Sequence, residues 1–416
     1  MSDGESNRRR NEGETSRRSE ESDERVVAVV TGTRAEYGLL KSSMEAIRDR
    51  PDLSLRTVAT GMHLSPEHGS TVSEIRDDGF DVTETVHMLV AGDSGRSMAK
   101  SLGLGTSGLA EALGSIDPDV VLVLGDRDEA LAAGLAAAHM NIPVAHVHGG
   151  DSMHGAVIDD SIRHALTKFA HLHFPVSELS AERIRKLGEE TRRITTVGAP
   201  GLDAVLDGEY ADPESVVSKY DLDAAGDAGE RRPDDAPLAV VVQHPVTTEP
   251  EAAGDQMRAT LDAVTDVAPR PVVVYPNSDA GGRRMIAAVE EYAADDRVRA
   301  FQSLPRADYL GLLGAADALV GNSSSGIIEA PSLDLPVVDV GPRQAGRERA
   351  DNTISVPHDR ERIRDAVARA LEDPAVRRRA RDCANPYDYG GAGRRIADRL
   401  AETALDGELL RKRLTY

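Results

Sequence analysis

Apolar residues gather into short runs rich in Val, Ala and Ile, at 26–31, 120–124, 144–147, 239–242, 272–275 and 337–340, with helical patterns between them. Runs that are apolar at every position predict strands buried on both faces, and strands separated by helices predict a parallel sheet covered on each side. The expected fold class is therefore α/β. A further run, Ala318-Leu319-Val320, leads into Gly321-Asn322-Ser323-Ser324-Ser325-Gly326-Ile327-Ile328-Glu329, which opens an apolar stretch of helical character. Polar signatures follow the runs directly: Thr31-Gly32-Thr33-Arg34, Gly125-Asp126-Arg127, His148-Gly149-Gly150-Asp151, Gln243-His244-Pro245-Val246-Thr247, Pro276-Asn277-Ser278 and Gly321-Asn322-Ser323-Ser324-Ser325. Open α/β sheets bind ligands beyond the carboxyl ends of their strands. One cleft collecting six strand ends is the economical reading.

Turn residues divide the chain. Val197-Gly198-Ala199-Pro200-Gly201 is a turn cluster, and 221–237 is dense in Asp, Gly, Ala and Pro, as a solvated acidic loop would be. The expected plan is a charged tail at 1–25, a first domain at 26–200, a second at 201–392, and a final segment at 393–416 that reads as helix and packs back across the first domain. The tail is almost wholly Arg, Glu, Ser, Asp, Asn and Gly, too polar to order itself by burial.

At 416 residues the chain has room for two domains, each with its own core. Seventy-one acidic against 49 basic residues give a formal charge of -22, which argues against nucleic acid as a partner. Only six of the basic residues are lysines; with the acidic excess this points to a halophilic surface, while a GC-rich genome would also favour arginine over lysine. Cys383 is the single cysteine, so intrachain disulfides and thiolate metal clusters are excluded. No stretch approaches the roughly 20 apolar residues of a membrane span, and residues 1–25 lack the apolar centre of a signal peptide. A cytoplasmic protein without a membrane partner is expected.

The run from Gly321 has the makings of a phosphate cradle, since small residues admit close approach of the main chain and a helix N-terminus supplies N–H donors. Glu329, one turn beyond Ser325, is placed to accept from ribose hydroxyls. Taken alone, the run also suits a Ser/Gly turn capping a helix.

Its company points one way. Thr31-Gly32-Thr33-Arg34-Ala35-Glu36-Tyr37-Gly38-Leu39-Leu40, Thr60-Gly61-Met62-His63-Leu64-Ser65, Gly125-Asp126-Arg127, His146-Val147-His148-Gly149-Gly150, the segment 158–168 and the segment 321–331 resemble the UDP-N-acetylglucosamine 2-epimerases, over nearly the whole chain outside the tail. The resemblance implies two Rossmann-like domains in a GT-B-type arrangement with an interdomain active-site cleft, the first domain on the sugar side and the second on the UDP side. Ala35 resembles the hydrolysing branch, where the non-hydrolysing branch has proline. The implied reaction is UDP-N-acetylglucosamine plus water to UDP and N-acetylmannosamine, feeding sialic-acid synthesis; related branches take UDP-diacetamido-6-deoxy sugars. No cofactor and no metal is implied, and a homo-oligomer, dimer or tetramer, is expected. Competing readings are a non-hydrolysing epimerase, a GT-B glycosyltransferase that needs an acceptor alcohol, and a silent nucleotide-sugar-binding regulator.

The implied chemistry sets the residues required. Partial loss of UDP makes C1 oxocarbenium-like and acidifies the C2 proton; elimination gives a glycal, to which water adds with the opposite configuration at C2. Donors for the departing diphosphate, and carboxylate or imidazole groups beside C1 and C2, are needed. Asp126 matches the family's catalytic aspartate; an ion pair with Arg127 or a helix cap is its bland alternative. Four-residue spacing pairs Asp159 with Arg163 and Asp160 with His164 on a helix, and the alignment favours Asp159 as catalytic. Where several members carry glutamate two residues after the histidine matching His146, this chain has His148, so either Asp151 supplies the carboxylate or His148 shuttles the proton. His244 matches a histidine placed over the sugar and diphosphate. Arg34, Arg127, Arg343, Ser323, Ser324 and Ser325 are the expected diphosphate ligands. Tyr387 resembles a nucleotide-side loop residue or sits in a plain Gly turn. His63 either lines the sugar pocket or is a core or surface histidine. His171 and His173 alternate as metal ligands on a strand would, but 169–174 also reads as a half-buried strand and no third ligand accompanies them.

Overall fold

The structure, a computed structural model, describes residues 24–66, 69–91, 95–153, 157–222, 237–268, 271–277, 279–294 and 298–416. The expected tail at 1–25 lies outside the described residues except Glu24 and Arg25, and Arg25 already opens the first strand; most of the acidic loop at 221–237 and Ser278 also lie outside them. Twelve strands are described: β1 Arg25–Thr31, β2 Leu53–Thr60, β3 Val82–Val86, β4 Val120–Leu124, β5 Val144–Val147, β6 Leu172–Phe174, β7 Ala239–Val242, β8 Val272–Val274, β9 Arg299–Phe301, β10 Ala318–Gly321, β11 Val337–Val340 and β12 Thr353–Val356. They form two six-stranded sheets in the orders β3-β2-β1-β4-β5-β6 and β12-β11-β10-β7-β8-β9. All pairings are parallel. Counted from its own first strand, each sheet has the order 3-2-1-4-5-6 of a doubly wound dinucleotide-binding fold. The α/β class and the two-domain arrangement are as expected.

The apolar runs become strands because both faces are buried. Along β1, Val27 and Val29 join one hydrophobic cluster while Ala28 and Val30 join another on the opposite face. In β7, Ala239 and Val241 point into one cluster and Val240 and Val242 into another. A side chain of this size contributes roughly 1.5 kcal/mol or more when fully buried. The helix Arg34–Arg48 covers one face of the first sheet; Thr33 caps it by accepting from the Glu36 N–H at 3.2 Å, and Tyr37, Leu40, Met44 and Ile47 make its buried stripe.

The chain end returns to this helix. Ile396, Ala397 and Leu400 of the helix Ala392–Glu402 join the same cluster, and the Ala392 and Gly393 N–H groups donate to the two Asp203 carboxylate oxygens at 2.8 Å. The segment is not one helix, because it breaks after Glu402 and restarts as a single turn, Gly407–Leu410, capped by Asp406. Residues 411–416 are not helical. An apolar cluster of Val176, Ala199, Leu202 and Val205 with Leu310, Ile327, Ile328 and Tyr387 joins the two halves. Among the described residues no helix is long and apolar enough to cross a membrane.

Candidate active site

Strand order reverses between β1 and β4 in the first sheet and between β7 and β10 in the second, and clefts open at such points. At the second switch point Gly321 has φ +128°, and a Cβ there would run into the Val242 carbonyl, so only glycine lets β10 end this close to β7. Asn322 then ties the two ends together: its Oδ1 accepts from the His244 N–H at 2.7 Å and its Nδ2 donates to the His244 carbonyl at 2.9 Å. Ser323 and Ser324 are half-buried, and Ser325 begins a single helical turn, Ser325–Ile328, continued by a 3-10 turn, Ala330–Leu333. The expected longer helix is shortened because Pro331 intervenes.

His244 holds its ring with Nδ1 accepting from the Asn277 N–H at 3.1 Å, so the proton is on Nε2. Burial, helped by the Arg343 charge, pushes its pKa down to about 3. It is a neutral donor at neutral pH. Arg343 donates to the Asn322 carbonyl at 3.1 Å, which sets a guanidinium beside the serines.

Across the cleft, Asp126 follows β4 and meets Arg163, whose side chain is 2% exposed. Arg163 also lies 3.3 Å from Asp151, and Arg347 from the second half reaches the same Asp151 oxygen at 2.8 Å. His148 sits beside them with φ +65°, a left-handed conformation that costs a residue with a side chain roughly 1 kcal/mol. Burial pushes its pKa down to about 4 against the opposing pull of Asp151. Burial thus weakens the base on which the proton-shuttle alternative for His148 relies. His146 donates from Nε2 to the Gly125 carbonyl at 2.7 Å and supports the Asp126 turn from below.

Asp159 is half-buried on the helix Val157–Phe169. Burial raises its pKa; Arg127 and Arg343 oppose this and Asp279 reinforces it, so charges from both halves act on one carboxylate. Arg127 lies open, 45% exposed, with Glu129 at 3.6 Å. Arg34 pairs with Glu74 at 2.8 Å and bonds Ser303 across the cleft. Glu329 is buried and pairs with Arg306 at 3.2 Å, and Arg306 also donates to the Gly201 carbonyl at 2.5 Å.

Several expectations are corrected. Asp126 pairs with Arg163 rather than Arg127, and Arg163 turns inward to Asp126 and Asp151 rather than along the helix to Asp159. Asp160 accepts from Ser152 Oγ at 3.0 Å and the Met153 N–H at 3.1 Å, holding the preceding loop instead of pairing with His164. Tyr387 is buried in the apolar cluster between the halves and commits its hydroxyl proton to the Glu348 carbonyl at 2.9 Å, a packing position rather than an open nucleotide-side loop. His63 has both ring nitrogens engaged, with Thr31 at 3.2 Å and Thr71 at 2.8 Å, and is a core residue. β6 is buried at every position, not half-buried; His171 accepts from the Val144 N–H and His173 meets Glu189. Among the described residues no group of three or more His, Cys, Asp and Glu is gathered as metal ligands.

Sequence reasoning missed Arg347, Asp279, Asn322 and the site role of Arg163. A signal existed for two of them. Arg163 stands between Ile162 and the Ala165-Leu166 pair on the buried side of its helix, and Arg347 follows Arg343 by four in the loop after an apolar run.

A family model described as UDP-N-acetylglucosamine 2-epimerase matches residues 45–401. The Legionella pneumophila protein named UDP-N,N'-diacetylbacillosamine 2-epimerase (hydrolyzing) is 36% identical over 94% of this chain and 100% of its own length. The Neisseria meningitidis serogroup B protein named UDP-N-acetylglucosamine 2-epimerase is 31% identical over 83% of this chain and 87% of its own length. A solved structure of UDP-GlcNAc 2-epimerase from Neisseria meningitidis bound to UDP-GlcNAc superposes with a TM-score of 0.76 at 17% identity, covering 91% of this chain and 100% of that one.

Proposed function

The chain belongs to the UDP-N-acetylglucosamine 2-epimerase family and is a UDP-sugar 2-epimerase; from that premise we propose that it is hydrolysing and that its preferred substrate is a UDP-2,4-diacetamido-2,4,6-trideoxy sugar. The observation that carries this is the 36% identity along the full length of a relative named for hydrolysing UDP-N,N'-diacetylbacillosamine. The reaction takes the C2 proton and breaks the C1–O bond to UDP, then adds hydroxide at C1 and a proton at C2 from the opposite face. UDP and the free manno sugar are released.

The site's residues suit these steps. Asp159, whose pKa burial raises, is the carboxylate we assign to proton exchange with the sugar. Asp126 and Asp151, gathered by Arg163, are the carboxylates we assign to the neighbourhood of the sugar's C1 and C2. His244 and Arg343 flank the Ser323–Ser325 turn and offer a neutral N–H and a cation to the departing diphosphate.

A second reading, UDP-N-acetylglucosamine as substrate, is favoured by the meningococcal relative. The test is kcat/KM for both UDP-sugars, with free UDP as the readout. A clear preference for the diacetamido sugar is expected. Preference for UDP-N-acetylglucosamine would select the second reading, and an intact UDP-sugar product would refute hydrolysis.

A further inference from the structure

Asp151 and Arg347 stand on opposite sides of the cleft. Asp151 lies four residues beyond β5, and Arg347 ends a double turn after β11, closed by the Ala345 N–H to Pro342 carbonyl bond at 2.9 Å and the Arg347 N–H to Gln344 carbonyl bond at 3.3 Å. Their side chains are 2% and 7% exposed and meet at 2.8 Å. Arg183 fastens the two loops, donating to the Gly150 carbonyl at 3.3 Å and the Gly346 carbonyl at 2.9 Å. Gly150, at φ +76°, has no room for a Cβ against the Ser180 carbonyl, so this loop cannot easily shift. The turn that carries Arg347 also carries Arg343, bonded to the Asn322 carbonyl next to Ser323. One short turn therefore spans the serine cradle and Asp151.

The arrangement is incomplete as it stands. Asp151 lies between two guanidiniums, with Arg163 at 3.3 Å and Arg347 at 2.8 Å from its Oδ2, so both cations crowd the same oxygen. Yet the contact with Arg347 is not an aligned fork, because Asp151 Oδ2 accepts no well-directed hydrogen bond. Arg347 Nε and Arg163 Nε are buried without a hydrogen-bond partner, and so is His148 Nε2. Buried donors are rarely left unpaired, and two guanidinium nitrogens orphaned beside one carboxylate suit an acceptor-rich dianion. A diphosphate is that chemistry.

We propose that Arg347 exchanges partners: without ligand it neutralises Asp151, and when the diphosphate of the substrate enters it turns to the phosphate oxygens, freeing Asp151 for proton transfer at the sugar. The carboxylate is thereby kept inactive until substrate is seated. This deepens the epimerase reading and rests on it.

The test is a double-mutant cycle by calorimetry on the full chain, with inorganic pyrophosphate and with UDP as probes. In wild type, Asp151 competes with the probe for Arg347, so Asp151→Asn should bind both anions about tenfold tighter, the scale of one charge-assisted hydrogen bond. Arg347→Gln should bind them about tenfold more weakly, and Asp151→Asn should add nothing in that background. A gain that survives in the Arg347→Gln background would show simple charge repulsion by Asp151 and overturn the exchange; so would no gain in Asp151→Asn. If Arg347→Gln does not melt cooperatively, Arg347→Met, which keeps the apolar stem, takes its place in the cycle. UDP release from both UDP-sugars by wild type is measured alongside. Coupling without release overturns the epimerase reading and sustains the exchange, release without coupling overturns the exchange alone, and failure to bind either anion overturns both.

Discussion

Replacing Glu36 by glutamine isolates one carboxyl whose charge the fold suppresses. Glu36 is 5% exposed; its Oε2 accepts from the Gly32 N–H at 2.7 Å while its Oε1 is buried without a partner. Burial, reinforced by repulsion from Glu129, pushes its pKa up from 4.5 to about 8. Because the folded pKa is raised, the native state keeps a proton that the unfolded chain releases, so this group's contribution is greatest below about pH 4.5, falls between there and pH 8, and levels off above. At pH 7, roughly 2.5 pH units above the unfolded value, the native state has lost about 3 kcal/mol relative to acid conditions. Glutamine has no such titration. The stability of Glu36→Gln relative to wild type should therefore rise by about 3 kcal/mol between pH 4.5 and 7 and by about 1 kcal/mol more by pH 8. The chain has no tryptophan, so circular dichroism is the probe, with thermal midpoints measured at half-unit pH steps. A difference between the two proteins that does not change with pH would refute the reasoning, and one that shrinks as pH rises would reverse its sign.

Arg163→Met removes the cation that gathers Asp126 and Asp151, while Asp151 keeps Arg347 and Asp126 stays partly open to water; a loss of about 2–3 kcal/mol is expected from melting curves, and an unchanged melt would show that the cation adds nothing to stability. His244→Gln should raise KM for the UDP-sugar about tenfold while leaving the acid limb of kcat/KM in place, because His244 is neutral above about pH 3; a displaced acid limb would make it a proton carrier instead. Gly321→Ala forces a Cβ against the Val242 carbonyl in a backbone conformation that alanine resists, so a loss of at least about 2 kcal/mol and of UDP affinity is expected; unchanged melting would mean that the strand end yields.

The central strands were legible because they are buried on both faces: β4, β7 and β10 are apolar runs, β1 is apolar between its end residues, and β5 and β11 are interrupted only by His146 and Asp339. β3, with the sequence Val-Thr-Glu-Thr-Val, and β9 and β12 were not, because edge strands are half-exposed and three to five residues long, so neither a run nor a clear alternation survives. β2, with the sequence Leu-Ser-Leu-Arg-Thr-Val-Ala-Thr, was missed because Ser54, Arg56, Thr57 and Thr60 break the apolar run, although Leu53 and its last four residues are buried. In the site, residues directly after strands were legible, since position alone sends them to the cleft. Arg163 was misassigned because i, i+4 spacing describes a solvated helix face, whereas this arginine lies on the buried face and finds its carboxylates on other elements. Arg347 offered only its spacing from Arg343, because its partner is Asp151, which no local pattern connects to a loop almost 200 residues away. His63 and Tyr387 show the converse, as both lie in family-like motifs and both have their polar atoms engaged inside the fold.

Proton NMR of the reaction in D2O tests the central claim most directly, with the UDP-diacetamido sugar and UDP-N-acetylglucosamine each supplied to the full chain. Elimination followed by hydration predicts free UDP together with a free manno sugar carrying deuterium at C2. An intact UDP-sugar as product, or a free sugar that keeps its C2 proton, would contradict it.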